Sequence, residues 1–289
     1  MSSSVLVEPA IAFVREKGTA RDKALLGVLL GEAPSDEGLE ALREGQNPDG
    51  GFRVRELPTQ ASVVGRTAEM VLYLTGVGAA DFGCTQAAGD FLIERQLPNG
   101  TWGESDALNV PGLPPYFLPG SNEVIGWETS ASMLALTGLG LTLDFHAPLA
   151  WLGQHRANIA GSRLFRVEAI LAALALERHG AAAVEGAAGF KREAEALASF
   201  PLEVFELNFA LLGASAAGVG QADARVARFG EALAKHQRPD GGFGSGPASS
   251  PFETVLALCS LEHGGQLALP RAHKAADHEA DPAKSDHGI

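Results

Sequence analysis

The sequence predicts an all-α protein, an α/α toroid in which an inner ring of about six helices is enclosed by an outer ring of about six. Three observations predict it: a turn sequence that recurs at a fixed period, an apolar helix after the turns, and an amphipathic helix before them. The turn occurs as ALREGQNPDGGF (41–52), FLIERQLPNGTW (91–102) and ALAKHQRPDGGF (232–243). Gln46 and Gln96 stand 50 residues apart, and Gln237 follows after a further 141, three times 47. A period of about 47 residues therefore runs along the 289-residue chain, with two degenerate copies in the longer gap.

Each turn has a legible chemistry. Pro-Asp-Gly-Gly and Pro-Asn-Gly are turn formers, because Pro presets φ and Gly accepts positive φ. The Gln can hydrogen-bond backbone groups orphaned at the helix end. The trailing Phe52, Trp102 or Phe243 can pack back on the helix just left. The apolar segments are GRTAEMVLYL (65–74), WETSASMLAL (127–136), VEAILAALAL (167–176), FELNFALLGA (205–214) and FETVLALCSL (252–261). They are apolar almost all round, as helices buried on every side must be. FKREAEALASF (190–200) and ARVARFGEALAKHQ (224–237) each carry one charged face, as outer helices should. A sixth inner helix is expected within Ala20–Leu30. The toroid then occupies 1–268 as one domain. Residues 269–289 form a polar tail expected to be disordered, in which His273, His278 and His287 lack partner ligands at fixed helical spacing.

Composition narrows the function classes. The net charge of −13 argues against nucleic acid or an anionic membrane surface as a partner, and membrane contact is not indicated. Two cysteines, Cys84 and Cys259, exclude a disulfide framework and point away from a thiolate zinc site. No apolar run reaches about 18 residues, and the first helix lacks the pattern of a signal peptide. A cytoplasmic protein without metal or cofactor is the expectation.

Gln96-Leu97-Pro98-Asn99-Gly100-Thr101-Trp102 resembles the QxxxGxW turn of squalene and oxidosqualene cyclases, with Ala88, Phe91 and Leu92 upstream in the matching places. The two Gln-x-Pro-Asp-Gly-Gly-Phe copies are similar to turns in those cyclases and in protein-prenyltransferase β subunits. The resemblance covers about residues 20–265. It implies an apolar central cavity closed by inner-helix N-termini, and a terpenoid-cyclase-like protein that binds a polyprenyl-type ligand there and cyclises it. In the protonating cyclases an Asp-x-Asp-Asp-Thr-Ala-like motif opens one inner helix, and its middle Asp is the general acid. The best match here, Ile125-Gly126-Trp127-Glu128-Thr129-Ser130, aligns Glu128 with the last acidic residue. That leaves Trp127 in the acid's place, and an indole cannot protonate an alkene. Asp81-Phe82-Gly83-Cys84 has one residue too many for the Asp-x-Cys that helps hold zinc in the prenyltransferases, and no paired His. Gly83-Cys84-Thr85-Gln86 sets its Gln too close to the Cys for the thioester of complement-like toroids.

Candidate residues follow from the repeat. Glu128, Glu168, Glu206 and Glu253 take the same place in four inner helices, and Arg66 takes it in a fifth. A carboxylate in a helix's first turn complements the dipole and accepts backbone amides, so the repeated position reads as structural. Arg66 and Glu128 stand 62 residues apart, about 15 more than the period. The excess lies in Gly103–Asn122, a Pro- and Gly-rich loop carrying Tyr116 and Phe117, and loops of this kind often cover sites. It brings Glu104, Asp106 and Glu123 toward the Trp127 helix. Asp106, Glu123 and Glu128 are the candidate catalytic acids. One step before the repeated acid stand Trp127, Val167, Phe205 and Phe252, the candidate ligand-binding residues, whose aromatic faces can stabilise a cation. Arg53 and Arg55 form a basic pair that could meet a diphosphate. Two rival readings stand beside the cyclase: a noncatalytic toroid that binds a ligand or partner, and a zinc-dependent prenyltransferase β-like subunit with an α-type partner.

Overall fold

A computed structural model describes residues 5–55, 57, 59–156, 167–180, 187–197 and 201–271. The expected disordered tail, with its three histidines, falls almost entirely outside this range. Twelve α-helices lie among the described residues. They are α1 (Val7–Lys17), α2 (Ala20–Leu29), α3 (Asp36–Leu42), α4 (Val64–Gly76), α5 (Gly83–Glu94), α6 (Asn122–Gly138), α7 (His146–Gln154), α8 (Glu168–Arg178), α9 (Ala187–Leu197), α10 (Val204–Ala216), α11 (Ala224–Ala234) and α12 (Pro251–His263).

The even-numbered helices form the inner ring. Contacts run from α4 to α6, α8, α10, α12 and α2, and α12 also touches α4, which closes the circle. The odd-numbered helices pack outside: α3 on α2, α5 on α4, α9 on α8, α11 on α10, and α1 against α12. The predicted all-α toroid of six inner and six outer helices is thus the observed one. Residues Glu168 through Leu176 of α8 are all buried, as an inner helix requires. In α12 the buried run is Thr254 through Leu261.

The turns work as their composition indicates and do more besides. Gln46, Gln96 and Gln237 each donate through Nε2 to the carbonyl of the turn glycine, Gly50, Gly100 and Gly241, at 2.8–3.0 Å. Those glycines have φ between +84° and +86°. Each also lies against the next outer helix: a Cβ on Gly50 would meet the Ala87 carbonyl oxygen at 2.2 Å. Gln46 further donates to the Cys84 carbonyl, and Gln237 exchanges two hydrogen bonds with the backbone of Leu6, both at 2.8 Å. That last exchange ties the final turn to the first helix and so latches the ring. Trp102 packs back as expected, donating its indole N–H to the carbonyl of Leu92 in α5.

A second device repeats on the inner side. The buried amides of Phe52, Trp102 and Phe243 donate to the hydroxyls of Thr67, Thr129 and Thr254, one step after the repeated acid position. Buried amides need partners, and this pairing fixes each turn against the helix that follows it.

The ring is not open along its whole axis. Helix α10 touches α4 and α6 across it. A Cβ on Gly76, at the C-terminal end of α4, would lie 2.6 Å from Leu212. The inner helices therefore close on one another at their C-terminal ends, and space remains at the N-terminal mouth. Among the described residues no helix is long and apolar enough to cross a membrane.

Candidate functional site

The N-terminal mouth encloses a cavity of about 540 Å³, within the range of small-molecule sites. Its aromatic wall comes from successive inner helices. Trp127 of α6 meets Phe209 of α10 edge-on, with ring centroids 5.0 Å apart. Behind this wall, Tyr73 of α4 packs against Phe209 and against Phe252 of α12, at 5.4 Å each. Trp127, Val167, Phe205 and Phe252, the four residues of the predicted register, all line the cavity. Phe205 is 44% exposed at the rim. Phe209 was not singled out from sequence, although it lies one helical turn beyond Phe205 on the same face.

The long loop does cover this mouth. It holds two 3₁₀ turns, Asp106–Leu108 and Pro115–Phe117. Leu108 is buried with Leu57 and Val63, and Phe117 packs beside them. Tyr116 and Phe117, 4.8 Å apart, form part of the cavity wall.

Of the three candidate acids, only Glu128 lines the cavity. Asp106 is exposed on its 3₁₀ turn. Glu123 accepts from Ser121 Oγ at 2.8 Å in the first turn of α6. Leu108 is the residue of the Asp106 turn that points inward, which is why Asp106 faces out.

Glu128 is fully buried and is joined by an acid from the loop, Glu104. The Glu104 carboxylate caps α4, accepting the amides of Val64 and Gly65 at 3.0 and 3.1 Å. Two amides at a helix N-terminus favour the charged form of Glu104, although burial raises its pKa from the ordinary value. Glu128 has no such amides as its main partners. Burial, then the Glu104 charge and the hydrogen bond between the two, push it well above the usual carboxylate range. The pair therefore shares one proton, held on Glu128 and donated to Glu104. The second oxygen of Glu128, Oε2, has no hydrogen-bond partner among the described residues.

The repeat explains why these two acids meet. Glu104 stands two residues after Trp102, and Ser245 stands two after Phe243. Ser245 Oγ accepts the Phe205 amide at the start of α10, at 3.0 Å, and Glu253 in turn binds the Ser245 amide and hydroxyl. The same bridge, from a first-turn Glu through a loop residue to the preceding inner helix, occurs at Glu128, Glu104 and α4. At one place the middle member is a hydroxyl and at the other a carboxylate. Glu206 keeps the structural role read from sequence, accepting the Glu203 amide at 2.8 Å in a capping box. Glu168 is buried with neither oxygen bonded by a described residue, and burial raises its pKa well above the ordinary value.

Four arginines also line the cavity: Arg21, Arg53, Arg55 and Arg66. Arg55 pairs with Glu44, Arg53 donates to Gln60, and Arg66 pairs with Glu69 at 2.5 Å. Among the described residues no group of three or more His, Cys, Asp or Glu is placed to hold a metal ion. Cys84, the nearest match to a zinc-ligand motif, is a buried free thiol.

No family model and no curated protein matches this chain. Among solved structures it is similar to the type II terpene cyclase MstE from Scytonema. A variant of that enzyme in complex with merosterolic acid A, its product, aligns at 17% identity over 90% of this chain and 96% of the other, with a TM-score of 0.46. A second variant, in complex with geranylgeranyl dihydroxybenzoate, its substrate, aligns at 16% identity over 90% and 97%, with a TM-score of 0.45. A protein from Actinoplanes aligns at 16% identity over 90% and 98%, with a TM-score of 0.48.

Proposed function

We propose that the chain holds an isoprenoid-type ligand in the toroid cavity and that Glu128 is the proton donor for its cyclisation. The observation that carries this reading is a carboxyl group kept neutral in the wall of an aromatic cavity. A general acid must hold its proton at working pH and reach the substrate. Glu128 lines the cavity, and delivery requires its proton to turn from Glu104 to Oε2, which no described residue occupies. The causes that keep the proton on Glu128 also weaken it as an acid. An epoxide oxygen, more basic than an alkene, is therefore the better-matched acceptor. Protonation opens the epoxide C–O bond, the oxygen leaves as a hydroxyl, and the neighbouring alkene supplies electrons to the carbon it leaves. The cation then moves along the chain past Trp127, Phe209 and Phe252, whose ring faces favour positive charge. It ends when a neighbouring carbon loses a proton to water at the cavity mouth, leaving an alkene, and Glu128 regains a proton from solvent.

The test is incubation with oxidosqualene, squalene and geranylgeranyl diphosphate, followed by mass spectrometry of the extracted products. A cyclised product from at least one of them, absent with Glu128→Gln, is the expected result. Recovery of every substrate unchanged would sink the catalytic reading. One observation favours a second reading, a noncatalytic binding toroid: the Glu128–Glu104 bridge repeats the geometry of Glu253–Ser245, which serves the fold. A lipid that co-purifies with the protein and is never turned over is the outcome that reading requires.

A further inference from the structure

Two arginines of the cavity have no carboxylate partner among the described residues: Arg53, which donates to the Gln60 side-chain oxygen instead, and Arg21, which has no oxygen partner there at all. Arg21 lies in the first turn of α2, and its Nη2 reaches only the thioether of Met70 in α4, at 2.8 Å. Sulfur in a thioether is a weak acceptor. Its Nε is buried and has no hydrogen-bond partner among the described residues. Its guanidinium carbon lies 5.5 Å from the ring centroid of Phe252. The nearby carboxylates are already engaged. Asp22 accepts from the amide and hydroxyl of Thr19, at 2.9 and 2.8 Å. Glu44 pairs with Arg55, and Glu69 binds both Arg66 and the Tyr73 hydroxyl. Burial, and next the Arg66 charge, lower the Arg21 pKa from its ordinary value, yet a guanidinium stays charged in a protein.

A cation held in an apolar wall is costly unless something pairs with it. The other three arginines of this wall each bond an oxygen of a described side chain, Arg53 that of Gln60, Arg55 that of Glu44 and Arg66 that of Glu69. We propose that Arg21 binds the oxyanion head of the ligand, a carboxylate or a phosphate, so that the cavity takes a long apolar chain with one anionic end. The planar fork of Arg suits either oxyanion. The placement also orients the chain. Arg21 lies where α2 meets Met70 and Phe252, whereas Glu128 lies on the other side of α4, against Gly65. An anionic head at Arg21 sends the far end of the chain toward Trp127 and Glu128. The inference rests on the apolar-ligand reading above for the identity of the chain, and on Arg21 alone for the charge of the head.

Calorimetric titration of the full chain separates the two. The probes are geranylgeraniol, geranylgeranoic acid, geranylgeranyl diphosphate and palmitate, and the proteins are wild type, Arg21→Met and Arg21→Lys. The expected result is that wild type binds at least one anionic prenyl probe about tenfold or more tighter than the alcohol. Arg21→Met should bind all three prenyl probes about as weakly as wild type binds the alcohol, and Arg21→Lys should fall between. The stronger of the acid and the diphosphate identifies the head. Palmitate bound in an Arg21-dependent way, with no prenyl probe bound, would keep this inference and remove the isoprenoid reading. Equal affinity of wild type for the alcohol and the anions overturns the inference. So does a preference that survives in Arg21→Met, or no binding of any anionic probe.

Discussion

Replacing Glu128 with Gln tests whether the buried pair really carries a proton. Gln is close in shape to a neutral carboxyl and can donate its amide N–H to Glu104. In the folded wild type, burial and the Glu104 charge keep Glu128 protonated. In the unfolded chain it ionises from about pH 4.3 upward. The folded pKa is the higher one, so its stabilising effect is complete below the unfolded value and is lost as pH rises toward the folded one. The loss is about 1.4 kcal/mol per pH unit for one such group. Gln has no proton to lose, so the variant does not share this decline. The stability difference in favour of Glu128→Gln should therefore grow steadily as pH rises from about 5 toward the folded pKa. Glu168 titrates alike in both proteins and cancels. The assay is urea unfolding followed by far-UV circular dichroism at several pH values. A plateau in the difference marks the apparent pKa of the pair. Adding Glu104→Gln should move that plateau to lower pH, because it removes the charge that burial does not supply. A difference that stays constant from about pH 5 to 7 would mean Glu128 is ionised in the fold, and the proton-donor role would go with it.

Three further changes probe the scaffold. Thr254→Val removes the acceptor for the buried Phe243 amide, bonded at 2.9 Å, and should cost about 1–3 kcal/mol in urea unfolding. Gly50→Ala places a Cβ against the Ala87 carbonyl at a φ of +84°. Strain and overlap together should cost about 2–5 kcal/mol, and a melting temperature within about a degree of wild type would contradict the turn geometry. Both cysteines are buried, and burial pushes the Cys259 thiol far up. Neither should be alkylated by iodoacetamide in the folded protein, whereas both should react in urea, as read by mass spectrometry.

The ring was legible because its signal is periodic. Gln46, Gln96 and Gln237 repeat one turn, and the turn needs the same residues each time to close on its glycine and meet the next outer helix. The register before the repeated acid was legible for the same reason, and Trp127, Val167, Phe205 and Phe252 do share one cavity. What the period could not reach was the chemistry between repeats. Asp106 and Glu123 lie near Trp127 along the chain, but the burial of Leu108 turns Asp106 outward. Glu104 is closer to the chemistry because it occupies a repeat position of its own, two residues past the turn aromatic. Its counterparts there are Val54 and Ser245, so no shared residue type marks the place. Arg21 was invisible for a related reason: α2 is the first inner helix and has no turn motif ahead of it to set its register.

The acid pair shows how a structural device can become a chemical one. The bridge needs only a loop residue that accepts the amides of one inner helix and receives the first-turn residue of the next. Serine does this at position 245 without any charge. At position 104 the helix being capped, α4, carries Arg66 where four other inner helices carry Glu, so it brings no first-turn acid of its own. A loop carboxylate fills that need, and both its oxygens are taken by Val64 and Gly65. The cost falls on Glu128, which meets a buried anion where Glu253 meets a hydroxyl. Two buried carboxylates in contact cannot both ionise, so one must keep a proton. The α4 amides decide which one, because they hold the charge on Glu104. The proton is thereby left on the residue that faces the aromatic cavity.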